Sequence, residues 1–98
     1  MNGIFGDRVK LEIRKKDLKV LNGKLIRLIG EFDNGKLKGI KVCGDFFIHP
    51  EESVLFLEEE ILSGKTYRES VLSWYEKYSP KIIGFEIEDL ICALECLN

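Results

Sequence analysis

Cys92 and Cys96 are four residues apart, one helical turn, so a helix would set their two thiols side by side. A structural zinc ion takes four ligands, and only Cys43 and His49 remain to supply the other two. Glu88, Asp89 and Glu95 crowd the same stretch, and negative neighbours raise a thiol pKa rather than activate it. These thiols therefore read as inert or partner-facing, with no metal site. His49 is the single histidine, so no Ser/His/Asp set is complete. Cys43 is the one nucleophile near it, and the two sit too close together, across a strand end, to work as a pair. Gly23, Gly30, Gly35, Gly39 and Gly44 punctuate turns and strands and form no phosphate-binding loop. The expectation is no catalytic residue and no metal ligand on this chain alone.

The stretch most able to shape a site is Gly44-Asp45-Phe46-Phe47-Ile48-His49-Pro50-Glu51-Glu52. An apolar, β-leaning run ends there and a helical run begins. Gly44 permits backbone angles that other residues resist, and Asp45 can accept neighbouring amides and tighten a bend. Phe46 and Phe47 carry enough apolar area to anchor the corner. Pro50 suits the first position of a helix, and Glu51 and Glu52 suit the positive end of its dipole.

The elements that must hold this corner follow from periodicity. Val9, Leu11 and Ile13 alternate with Arg8, Lys10, Glu12 and Arg14, which predicts a half-buried strand, interrupted at Lys15-Lys16-Asp17 and resuming through Leu18-Lys19-Val20-Leu21. Asn22-Gly23 and Asp33-Asn34-Gly35 are hairpin signals. Between them a strand runs from Lys24 to Phe32, with Ile26, Leu28 and Phe32 on one face and Leu25 and Ile29 making the other partly apolar. A third strand runs from Lys36 to Cys43, with Gly39 marking a bulge. Helices are predicted over 50–63, with stripe Val54, Leu55, Leu57, Ile61 and Leu62; from a Thr66/Glu69 capping box to Ser79-Pro80; and from Glu86 or Ile87 to the terminus. Glu58 projects into the first stripe and needs a donor, Phe56 points away from it, and Glu59 and Glu60 read as solvated. Tyr67, Val71, Trp74, Tyr75 and Tyr78 read as core, and Ile82 and Ile83 as packing in a connection. Strands precede helices, so the class is α+β: two layers, an antiparallel meander sheet of three to four strands with about three helices on one face.

Ninety-eight residues make one domain, 1–98, and the 45% apolar and 33% charged content is that of a folded protein. No apolar run is long enough for a membrane span. The N-terminus lacks the basic and apolar regions of a signal peptide, which points to the cytoplasm. Three cysteines, an odd number, argue against a disulfide framework. Residues 1–49 hold 11 Lys/Arg against 6 Asp/Glu, and residues 50–98 hold 4 against 11. The sheet is thus basic and the helices acidic. Nucleic-acid binding is not expected: Lys36, Lys38 and Lys41 line one arm, but Phe32 is the only strand aromatic placed to stack on a base.

Gly23-Lys24-Leu25-Ile26-Arg27, then Ile40-Lys41-Val42-Cys43-Gly44-Asp45-Phe46-Phe47-Ile48-His49-Pro50-Glu51-Glu52, resembles the accessory C-terminal domain of lipoate-protein ligases, which in archaea also occurs as a separate small subunit. Leu57-Glu58-Glu59-Glu60-Ile61-Leu62-Ser63-Gly64 and the run from Ile83 to Leu94 continue the likeness, which spans 18–97. The resemblance implies the two-layer fold of the iron–sulfur scaffold and sulfur-acceptor (SufE/NifU-like) superfamily. It implies a non-catalytic subunit, in a heterodimer with a lipoate-protein ligase catalytic subunit. That complex would activate lipoate with ATP to lipoyl-AMP and pass the lipoyl group to an acceptor protein. Lipoate, ATP and Mg would belong to the complex, none of them bound by this chain alone. Gly44, Asp45, Phe46 and Phe47 would shape the edge facing the partner's active site. Lys24 and Arg27, on the adjacent basic strand, would compensate phosphate charge, and Glu58 would pair with one of them. Residues 1–16 precede the match and read as an N-terminal extension, with an added strand over 9–14. The same superfamily implies a second reading, a sulfur-acceptor or iron–sulfur assembly accessory protein, which would need a reactive cysteine in an exposed loop. Here Gly44-Asp45 occupies that turn.

Overall fold

In a computed structural model, which describes residues 11–20 and 24–97, strands β1 (Leu11–Lys19), β2 (Leu25–Asp33) and β3 (Lys36–Gly44) form an antiparallel meander in that order. Strands β4 (Phe47–His49) and β5 (Lys81–Ile83) pair as a separate two-stranded ribbon. Helices α1 (Ser53–Ile61), α2 (Tyr67–Tyr78) and α3 (Ile87–Leu97) form the second layer. Helix α3 lies over β1 and β2, α1 lies beside β3, and α2 packs on the two helices. The class is the α+β arrangement expected, with one departure: the ribbon. Ile82 and Ile83 are strand residues, not a connection, because Phe47 and Ile48 supply partners across which they align.

The β2–β3 turn forms where Asp33-Asn34-Gly35 predicts it. Asn34 and Gly35 take φ of 54° and 84°, the pair of positive angles that matches the twist of a tight hairpin. The bulge is also present, since Leu37 faces Phe32 and Gly39 faces Glu31, leaving Lys38 as the extra residue. Asn22-Gly23 and Val9 lie outside the described residues.

The expected strand is present from Leu11, but its continuity and its covered face differ from the reading. Its pairing with β2 runs unbroken from Leu11 to Lys19, with no interruption at Lys15-Lys16-Asp17 and no separate added strand within Leu11–Arg14. Leu18 pairs with Ile26 on the side facing the helices, and period two then carries Lys16, Arg14 and Glu12 to that side. Leu11 and Ile13 consequently face outward, 61% and 58% exposed. Arg14 remains tolerable at the covered face by laying its guanidinium over the Phe32 ring, 4.3 Å from the centroid, while pairing with Glu12 at 3.0 Å. Phe32 itself is buried and offers no stacking face to a base.

The core lies between sheet and helices: Ile26, Leu28, Phe32, Ile40 and Val42 meet Leu57, Ile61, Val71, Trp74, Leu90, Ile91 and Leu94. Each such aliphatic side chain contributes roughly 1.5–3 kcal/mol by leaving water. Gly30 lets α3 approach the sheet closely, since a Cβ there would come within 2.9 Å of Leu97 Cδ2. Helix α1 starts at Ser53 rather than Pro50. Ser53, Val54 and Leu55 first bond to carbonyls three residues back, so Pro50-Glu51-Glu52 form a tight lead-in turn. Its stripe is narrower than predicted: Leu57 and Ile61 are buried, Val54 is half-buried, and Leu55 and Leu62 are exposed. Phe56 does not simply face water but stacks on Tyr78, with centroids 4.8 Å apart. Tyr75 is exposed, whereas Val71 and Trp74 are fully buried. The indole N–H of Trp74 donates to the Ser53 carbonyl at 2.7 Å, so the largest core side chain also pins the start of α1. Thr66 and Glu69 close the predicted capping box on α2.

Two carboxylates of α1 have partners that the sequence did not reveal. Glu58 accepts the Val42 N–H of β3 at 3.1 Å, not Lys24 or Arg27. Glu60 is no solvated charge: it accepts Lys65 and Lys77, each at 2.8 Å, and Lys77 belongs to α2. Those two ammonium donors hold the Glu60 carboxyl below its ordinary pKa.

Candidate functional site

The corner following β3 is fixed by one backbone oxygen. Gly44 has φ of +148°, and a Cβ there would overlap the Leu25 carbonyl oxygen. That oxygen accepts the Asp45 N–H at 3.0 Å, tying the end of β3 to the start of β2. Glycine is required at 44 for both reasons. The Asp45 side chain is left exposed.

Phe46 and Phe47 then part ways. Phe46 turns inward onto Phe85, edge to face, with centroids 4.9 Å apart and planes at 85°. It also covers Gly84, where φ is +122° and a Cβ would come within 2.9 Å of Phe46 Cβ. Phe47 enters β4 and points out, 71% exposed, directly opposite Ile83, 55% exposed. The ribbon therefore carries an outward apolar pair held from below by Phe46 and Phe85.

Lys24 stands just before β2, where its carbonyl accepts the Val20 N–H at 2.8 Å. It lines a cleft of about 500 Å³ with Val20, Ile83, Gly84, Glu86 and Asp89. Asp89 is already engaged there, its carboxylate accepting the Glu86 N–H at 2.8 Å and capping the entry to α3. Arg27 lies on the outward face of β2, held by a two-pronged ion pair to Asp17 at 2.8 and 2.9 Å. That pairing raises the arginine's pKa and lowers the aspartate's. The structure thus gathers Lys24, Gly44, Asp45, Phe46 and Phe47 where β2 begins and β3 ends, through Leu25 and Gly84. Arg27 stands one cross-strand row away, already committed to a carboxylate.

Sequence reasoning missed Ile83 and the Gly84-Phe85 platform. The signal was Gly84-Phe85 ahead of a helix, a small residue followed by an aromatic one, but nothing local links it to Phe46. The thiols are placed as read. Cys43 sits within β3, half-buried, its Sγ donating to the Arg27 carbonyl at 3.7 Å, not in an exposed loop. Cys92 and Cys96 are exposed on α3, where Cys96, partial burial and Glu95 push the Cys92 thiol up. The arrangement offers the apolar area of Phe47 and Ile83, the carboxylates of Asp45, Glu86 and Asp89, and the Lys24 ammonium.

No protein-family model matches the chain. It is similar to lipoate-protein ligase A subunit 2 of Thermoplasma acidophilum, with 34% identity over 84 residues, covering 84% of this chain and 87% of that protein. Among solved structures, it is similar to a chain from an archaeal lipoylation system of the same organism, described as a bi-partite lipoate protein ligase and its E2 lipoyl domain. The TM-score is 0.74 at 29% identity, over 87% of this chain and 97% of that one.

Proposed function

The chain belongs to the lipoate-protein ligase A subunit 2 family, and we propose that it works as the non-catalytic accessory subunit of a two-part lipoate-protein ligase. The observation carrying this reading is the extent of the match: most of this chain aligns with most of a relative that is itself named as one subunit of the enzyme. Its partner is the catalytic subunit, with which it forms a heterodimer. On that subunit the lipoate carboxylate attacks the α-phosphorus of ATP, pyrophosphate leaves, and lipoyl-AMP forms. A lysine amine of the acceptor protein then takes the lipoyl group and AMP departs.

This chain's contribution is the end built from Lys24, Gly44, Asp45, Phe46 and Phe47. Phe47 and Ile83 seat in an apolar recess of the catalytic subunit, and Gly44 and Phe46 hold the loop that aims the Asp45 carboxylate. Lys24 makes no ion pair among the described residues and is a cation free to face phosphate. Arg27 would first have to leave Asp17, so its part is secondary. Among the described residues no three His, Cys, Asp or Glu side chains gather as a metal site. Magnesium and nucleotide are assigned to the large subunit. Dependence on ATP fits a cytoplasmic setting, and no described helix is long and apolar enough to cross a membrane.

The test mixes this chain with the catalytic subunit and follows lipoyl-AMP formation from lipoate and ATP. Adenylate is expected only when both are present. Equal adenylate without this chain, at concentrations where the two demonstrably assemble, overturns the accessory role.

A further inference from the structure

The outer side of the helical layer is more apolar than a surface left in water. A helix that faces solvent on one side normally carries charged and polar residues there. Yet of the ten exposed large hydrophobic side chains among the described residues, six lie on α1 and α2 or at their ends: Leu55, Phe56, Leu62, Leu72, Tyr75 and Tyr78. Leu72, Tyr75 and Tyr78 are spaced three residues apart, so each neighbours the next along α2. Phe56 of α1 joins them by stacking on Tyr78. Leu72 and Tyr75 line a shallow groove with Glu69 and Glu76.

The charge on this layer is one-sided. Residues 50–98 hold 4 Lys/Arg against 11 Asp/Glu. Three of those cations are engaged: Lys65 and Lys77 with Glu60, and Arg68 with Glu88. The fourth, Lys81, makes no ion pair among the described residues. Glu58, Glu69 and Asp89 accept backbone amides. Glu51, Glu52, Glu59, Glu76, Glu86 and Glu95 are exposed and make no ion pair among the described residues. Glu52 and Glu59 stand within one helical turn of Phe56, and Glu76 within one turn of Leu72. An apolar patch rimmed in this way repels nucleic acid, an anionic membrane and the same face of a second copy. It fits a protein surface whose apolar side chains sit among lysines and arginines.

The place of the patch says which protein that is. Strand β4 leads into α1, which touches it, and α2 leads into β5. Phe56, near the start of α1, and Tyr78, the last residue of α2, therefore stand beside the ribbon. The ribbon's outward face holds Phe47 and Ile83, then His49 and Lys81 as a polar row before the helices. A stable contact covers roughly 800 Å² on each partner. Phe47 and Ile83 together offer on the order of 300 Å². The rest of the area has to come from surface next to the ribbon and corner. On the sheet side that surface carries the Asp17–Arg27 pair, whose charges already satisfy each other. On the helix side it carries the Phe56–Tyr78 stack.

We propose that the catalytic subunit extends from the ribbon over the outer side of α1 and α2, meeting Phe56, Tyr78, Tyr75 and Leu72 with apolar side chains set among lysines and arginines. The inference rests on the accessory reading and adds where the subunits join and what charge the partner brings. The aromatic and leucine side chains supply adhesion, and Glu52, Glu59 and Glu76 set orientation and salt dependence.

The experiment measures binding of this chain to the catalytic subunit by calorimetry at several salt concentrations. It compares wild type, Leu72→Gln/Tyr75→Gln, Glu59→Lys/Glu76→Lys, and Ile13→Gln on the outward sheet face. The glutamine pair is expected to weaken binding at least about tenfold. The lysine pair is expected to weaken it too, and to flatten the loss of affinity that salt causes in wild type. Ile13→Gln is expected to bind as wild type does. Should the glutamine pair fail to fold, the lysine pair decides alone. Wild-type affinity in a folded glutamine pair, or in the lysine pair, overturns the proposal. Weakening by Ile13→Gln alone overturns it in favour of the sheet. Failure of the wild-type chain to bind overturns the accessory reading, and this inference with it.

Discussion

Gly44 and Asp45 stand side by side, and their roles separate cleanly. The glycine answers to the Leu25 carbonyl and to a positive φ, so Gly44→Ala should cost about 3 kcal/mol or more in urea unfolding. Asp45 contributes its N–H to the fold and its carboxylate only to water. Asp45→Ala should therefore leave stability within about 0.5 kcal/mol while lowering lipoyl-AMP formation in the mixed assay. A parallel loss of both would make the aspartate structural. Gly44 and Asp45 were legible because residue type alone restricts a tight bend. The division between Phe46 and Phe47 was not, since it depends on β5, far along the chain. Glu58 falls between these cases. Helical projection shows that its carboxylate lies among apolar side chains and must find a donor, but not that the donor is the Val42 N–H. Glu58→Leu should cost about 1–3 kcal/mol by orphaning that N–H, and Glu58→Gln, which can still accept, much less. Equal losses would show that the charge matters rather than the hydrogen bond.

At the level of elements, signals confined to one turn of helix were read well. Thr66 and Glu69 are three residues apart and close their box as expected, so Thr66→Ala should lower stability by about 1 kcal/mol. Alternation was read less well, because period two states that a strand has two faces and not which one is covered. Leu18 decides that for β1 through its pairing with Ile26, and so sends Ile13 outward. The tie between α1 and α2 carries a pH dependence. Lys65 and Lys77 depress the Glu60 pKa in the folded chain, so the unfolded chain takes up a proton first as pH falls. The stabilisation is complete above the ordinary carboxylate range and is lost as pH drops below about 5 toward the folded value. Glu60→Gln should thus flatten part of the acid limb in urea midpoints measured against pH. An unchanged limb would assign acid sensitivity to Glu12, Asp17 and Glu88, whose carboxyls Arg14, Arg27 and Arg68 likewise depress.

The whole molecule is long for its size, 52 × 28 × 20 Å with a radius of gyration of 14.9 Å, against about 13 Å for a compact chain of similar length. The ribbon is held by two three-residue strands with few hydrogen bonds. Its amides should exchange faster than those of β2, and adding the catalytic subunit should slow them. Exchange at β4 and β5 unaltered by a bound partner would remove the ribbon from the contact. One further consequence concerns how the sheet ends. The margin of β3 is broken by the Lys38 bulge and by Glu58 seated on the Val42 N–H, while among the described residues β1 ends the sheet on the other side. Strand-by-strand growth needs two receptive margins on every unit. A unit whose β3 margin is broken in this way resists growth on that side, which disfavours fibres built strand by strand along the sheet.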